Sequence, residues 1–165
     1  MEAKIKLGRI MGIPIGLHWS WFLVFGLLSW SLARGYFPAE YPNLTALAYW
    51  IMGALTSLLL FVSVLVHELS HSFVALRNHI PVRGITLFIF GGVAQIEREP
   101  SSPGVEFWVA IAGPLASLGL AVFFGGLYLL DRAIPYLAAP SVWLMRINLT
   151  LAVFNLIPGF PLDGG

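Results

Sequence analysis

Apolar residues in this chain run on for twenty positions and more, instead of recurring at the intervals of a half-buried helix or strand. Ile13 to Leu32 is a stretch of 20 residues without a charge, enough to cross a bilayer core of about 30 Å as a helix. Lys4, Lys6 and Arg9 precede it, and Ser31-Leu32-Ala33 has the small-x-small form of a signal cleavage site. The run exceeds a signal core of about 7–15 residues and carries Trp19, Trp21 and Trp30. A retained transmembrane helix is therefore expected. A second run, Leu44 to Val66, has 23 uncharged residues and passes directly into His67-Glu68. Tyr49 and Trp50 have the character of interfacial anchors at its start. The 17 residues from Trp50 to His67 rise about 26 Å in a helix, so His67 falls near the far end of the span but at membrane depth. Pro81 is expected to stop this helix.

The pattern then changes. Ile85 to Phe90, rich in β-branched and aromatic residues, is followed by Gly91-Gly92 and by Val93 to Glu97. That order predicts a β-hairpin over about 85–97. Pro100 to Gly104 is a break, and a third span is expected from Phe107 to Leu130. Asp131 to Pro140 is expected to be a loop. A fourth, less apolar run, Val142 to Ile157, contains Arg146, Asn148 and Asn155 and ends at Pro158. The expected fold is thus an all-α polytopic membrane protein of about four transmembrane helices, with a membrane-associated hairpin between the second and third.

Composition supports the membrane reading: 58% of the 165 residues are hydrophobic and 10% are charged, with a mean hydropathy of +0.85. A water-soluble domain of this size needs more polar surface than that. The net charge of +1 and the lack of a basic cluster give no footing for nucleic acid. The chain has no cysteine, which removes disulfides, thiolate ligands and cysteine nucleophiles together. With four spans, Lys4, Lys6, Arg9, Arg77, Arg83 and Arg98 collect on one side, against Arg34, Arg132 and Arg146. Excess positive charge marks the cytoplasmic side. A multi-pass protein of the cell membrane with a cytoplasmic N-terminus is expected, with His67, His71 and Asp163 near the cytoplasmic face.

The chemistry concentrates in His67-Glu68-Leu69-Ser70-His71. Residues four apart share a helix face, so both imidazoles can bind one cation while Glu68 reaches its open position. Chance gives this pattern in some proteins, mostly on surface helices. Three ionisable groups in five residues at membrane depth are costly unless they serve a function. Catalytic zinc takes three protein ligands and a water. His79 lies beyond the membrane segment, His18 sits beside Trp19 as an interfacial residue, and Glu97, Glu99 and Glu106 flank a proline-rich loop. Asp163, past the break at Pro161, remains as a candidate ligand, with a plain turn aspartate as the alternative.

With these motifs the sequence resembles the site-2 protease family of intramembrane metalloproteases. His-Glu-Leu-Ser-His carries the likeness, together with Asn155 to Gly165, similar to the family's Asn-x-x-Pro…Leu-Asp-Gly segment. Gly113-Pro114-Leu115-Ala116-Ser117 is similar to its Gly-x-x-x-(Asn/Ser/Gly) motif. The resemblance implies a zinc metalloendopeptidase holding one Zn2+ per chain on His67, His71 and Asp163. It implies Glu68 as general base and acid and Asn155 as oxyanion stabiliser. Gly113 and Ser117 are expected to serve helix packing alone, since small residues four apart let helices approach in lipid. The implied partners are a lipid bilayer and a transmembrane protein substrate, in the family a membrane-bound regulator. That substrate, once unwound, could pair with a strand edge; a homo-oligomer stays open. A metal-ion transporter or metal-binding membrane protein is the alternative. Residues 1–165 are expected to form a catalytic domain cut short at its C-terminal end, because family members continue beyond the Leu-Asp-Gly segment.

Overall fold

A short sheet lies at one end of a helical bundle, and it begins earlier in the chain than the sequence pattern suggests. The computed structural model describes residues 5–89, 91–96 and 102–156. Strand β1 (Ile5–Ile10) turns through Met11 and Gly12, both at positive φ, into antiparallel β2 (Ile13–Leu17). Two left-handed residues are what a two-residue hairpin turn of this twist requires. β2 pairs in parallel with β3 (Val82–Phe88), which pairs antiparallel with β4 (Gly91–Ile96). The sheet order is β1-β2-β3-β4, so the expected hairpin is half of a four-stranded mixed sheet.

The fold is mostly helical, as expected, but its sheet is larger than one hairpin, and the start of the first helix is corrected. Ile13, Ile15 and Leu17 are buried on one face of β2, but Gly16 is buried as well. A strand covered on both faces reads as a continuous apolar run, which length merges into the helix that follows. Helix starts only at Ser20: α1 (Ser20–Ser31), a π-helical turn (Leu32–Tyr36) and α2 (Phe37–Glu40) follow one another without a break.

Helix α3 (Ala46–Arg77) carries the histidines. Thr45 caps it by accepting from the Ala48 N–H at 3.2 Å, and Asn78 closes it, its side-chain amide donating to the Val74 carbonyl at 2.9 Å. The Tyr49 hydroxyl accepts from the Leu44 N–H and donates to the Tyr41 carbonyl, pinning the loop ahead of α3. Helix α4 (Pro103–Asp131) starts four residues earlier than expected, with Ser102 as cap and Pro103 in the first turn, where its missing N–H costs nothing. Helix α5 (Pro135–Asn155) begins inside the expected loop. Pro135 opens it, and Pro140 in the second turn forgoes only the bond to Tyr136.

Three helices, α3, α4 and α5, are long and apolar enough to cross a membrane. Their outward faces carry large apolar side chains such as Leu55, Val122 and Leu130, whereas His67, Ser117 and Asn148 are buried. That inversion suits lipid as solvent. Leu32, Phe37, Met52 and Ala139 tie the first helical segment, α3 and α5 together. Ile13, Ile15 and Ile85 lay the sheet against Leu65 and Leu69 of α3, beside the turn that holds the motif.

Candidate metal centre

His67 and His71 lie on the buried face of α3, at 2% and 5% exposure. Their rings are tilted by 74° and their Nε2 atoms lie 3.2 Å apart. Each Nδ1 is engaged by α4: that of His67 lies 2.8 Å from the Ser117 hydroxyl, that of His71 2.6 Å from the Val109 carbonyl. The Nε2 atoms are thereby turned toward a common point. Two nitrogens bound to one tetrahedral zinc at about 2.0–2.1 Å stand roughly 3.3 Å apart, so the pair fits a shared zinc ion.

The space in front of the pair is kept by a missing side chain. A Cβ at Gly113 would fall 2.6 Å from Nε2 of His67 and collide with Nε2 of His71. Gly113 and Ser117, expected to serve packing, lie where α4 meets α3: Gly113 borders both Nε2 atoms and Ser117 touches the His67 ring. The Gly-x-x-x-Ser spacing was visible, but nothing in it indicates which residues lie across from it. The Val109 carbonyl leaves no trace in a sequence at all.

Glu68 is half-buried and lies against the sheet. A Cβ at Gly92 of β4 would approach its Cγ to 2.5 Å and its Oε1 to 3.2 Å, so β4 runs directly past the carboxylate. His67 and His71 thus meet between α3 and α4, and Glu68, one residue along from His67, meets β4. Asn155 ends α5, buried, with its amide nitrogen donating to the Leu151 carbonyl at 2.9 Å. Asp163, Glu97 and Glu99 lie outside the described residues. His18 bonds Ser20 at the start of α1, with Nδ1 accepting from the Ser20 N–H. His79 occupies the turn after α3 at φ 59°. Glu106 is exposed in the first turn of α4. None of these three joins the pair, and among the described residues no third His, Asp or Glu completes a metal-holding group.

The profile of Peptidase family M50 matches residues 55–132, which span both α3 with its histidines and α4. The solved site-2 protease from Methanocaldococcus jannaschii is similar to this chain at 34% identity and a TM-score of 0.63, covering 98% of this chain and 68% of that one. The chain belongs to the site-2 protease family. It is 48% identical to a candidate zinc metalloprotease of Synechocystis sp. and 40% identical to the candidate zinc metalloprotease Rip3 of Mycobacterium tuberculosis. All of this chain takes part in both matches, which cover 43% and 42% of those relatives. The chain thus spans less than half the length of the curated relatives it matches.

Proposed function

We propose that this chain forms the catalytic part of a zinc metalloendopeptidase that hydrolyses a peptide bond within a transmembrane segment of another membrane protein. The observation that carries the proposal is the Nε2 pair, 3.2 Å apart on an apolar helix, with a carboxylate one residue along. Asp163 is proposed as third ligand from the family motif, with one zinc per chain. The protein is proposed to lie in the cell membrane with its N-terminus and metal centre toward the cytoplasm.

A zinc ion held by these residues would supply a Lewis acid, which lowers the pKa of water to about 7 at such sites. Glu68 takes the proton of the attacking water and returns it to the leaving nitrogen, a base that becomes an acid. Asn155 is proposed to donate an amide N–H to the developing oxyanion, worth about 10²–10³ in rate at comparable sites. Leu151 engages its amide nitrogen, but an amide carries two N–H groups. The scissile segment must unwind, since a helical peptide bond is shielded by its own turn. β4, an edge of the sheet beside Glu68, offers main-chain groups to a segment so unwound. A membrane-bound regulatory protein is the proposed substrate class, from the family resemblance.

The test pairs Glu68→Gln with His67→Ala in the full-length protein, read by zinc content and cleavage of a transmembrane substrate. Glu68→Gln should keep its zinc and lose cleavage; His67→Ala should lose both. Parent-like cleavage by Glu68→Gln would sink the mechanism. Zinc flux into liposomes unaffected by Glu68→Gln would point instead to transport. Asp163→Ala should lose zinc, whereas Glu106→Ala should not.

A further inference from the structure

Two acceptors on α4 stand behind the histidine pair. Val109, Gly113 and Ser117 follow at intervals of four along one stripe of α4. The stripe meets His71 and His67 in that order, with Gly113 between them against both Nε2 atoms. Pro114 has no N–H for the Ala110 carbonyl, so this turn of α4 is held less tightly than its neighbours.

The two acceptors differ in kind. A carbonyl oxygen only accepts, so His71 carries a proton on Nδ1, which leaves Nε2 as the nitrogen turned toward His67. A hydroxyl both donates and accepts, so Ser117 can hold the His67 ring in either tautomer. Ser117 is fully buried, and a spacer there would need no oxygen. We propose that Ser117 is a positioning residue of the metal centre: its hydroxyl fixes the His67 ring and accepts Nδ1–H when Nε2 holds the metal ion. The fixed ring spends no binding energy on reorientation, and the bond to Nδ1–H makes Nε2 a better donor. This rests on the metal-binding part of the proposed function and not on proteolysis.

The experiment measures zinc affinity by chelator competition for the full-length parent, Ser117→Ala and Ser117→Thr, with thermal unfolding as a check on the fold. Histidine 15N spectra of the zinc-loaded parent supply a readout that a spacer would not move. Ser117→Ala should bind zinc about 10–100-fold more weakly, the usual effect of losing such a partner, while Ser117→Thr recovers most of the affinity. The loaded parent should show His67 protonated on Nδ1 and metallated through Nε2. Parent-like affinity of Ser117→Ala overturns the proposal, as does a folded Ser117→Thr no better than alanine. Should Ser117→Ala fail to fold, the parent spectrum decides: metal on Nδ1 of His67 refutes the assignment. A parent that binds no zinc sinks this and the proposed function together. A parent that binds zinc but cleaves nothing sinks only the protease reading.

Discussion

At Gly113 a single methyl group would fill the space in front of the proposed metal centre. Its Cβ would lie 2.6 Å from Nε2 of His67 and against Nε2 of His71, well inside carbon–nitrogen contact. Gly113→Ala must push α4 away, which stretches the bonds from Ser117 and Val109, or fill the metal's place. Either way zinc affinity should fall on the order of 10–100-fold, measured by chelator competition, with the helical content unchanged. Recovery of parent affinity would mean that the helices separate at little cost. His67, Glu68 and His71 were legible because the motif is local: four residues along one helix bring the rings together. Ser117 meets His67 across 50 positions of sequence. Its motif was noticed, but a spacing within α4 says nothing about what α4 faces.

Among the elements, β4 and α5 constrain α3 from two sides. β4 passes Glu68 so closely that Gly92 has no room for a side chain. Gly92→Ala should shift the strand or swing the carboxylate. Since misplacement by about 1 Å can cost up to about 10²-fold in rate, cleavage should drop strongly while zinc content stays at the parent level. A loss of zinc instead would show that the strand supports the metal and not the base. On the α5 side, Asn148 donates to the Ser63 hydroxyl at 3.2 Å and to its own helix at Leu144, while its Oδ1 has no partner among the described residues. Interhelical hydrogen bonds of this kind average about 0.6 kcal/mol in a membrane. Asn148→Leu should therefore cost little, because it also removes an unsatisfied oxygen, and an unfolding equilibrium in lipid would read the difference. The helical elements were legible in outline because long apolar runs admit few alternatives. Their starts were less so: α4 and α5 each begin on a proline after a capping or extended residue, and Pro135 and Pro140, which suggest a loop, lie within α5.

For the whole molecule, the parallel pairing of β2 with β3 has a topological consequence that no apolar run conveys. Ile15 to Leu17 lie beside Ile85 to Leu87, so the chain leaves the sheet at His18 and comes back to the same level after α3. Helix α3 has 32 residues, a rise of about 48 Å. The segment from Ser20 to Glu40, with the loop to Thr45, must supply the outward leg of that excursion. Its continuous α, π and α turns rise roughly 32 Å over that length, the thickness of a hydrocarbon core. A fourth crossing is therefore expected although α1 alone has only 12 residues. Lys6, Arg9, Arg77 and Arg83 would then lie on the sheet side and Arg34, Arg132 and Arg146 on the other, the asymmetry behind the proposed cytoplasmic placing of the sheet. The chain has no cysteine of its own, so single cysteines report position cleanly. Pro42→Cys and Arg132→Cys should react with a membrane-impermeant thiol reagent in intact cells, and Lys6→Cys and Asn78→Cys only after permeabilisation. Labelling of Lys6→Cys and Pro42→Cys from the same side would make Ser20 to Glu40 a re-entrant segment. β2 could not then reach β3 unless α3 also failed to cross. One labelling pattern thus tests the fourth span and the strand pairing together, because the sheet fixes both ends of the same excursion.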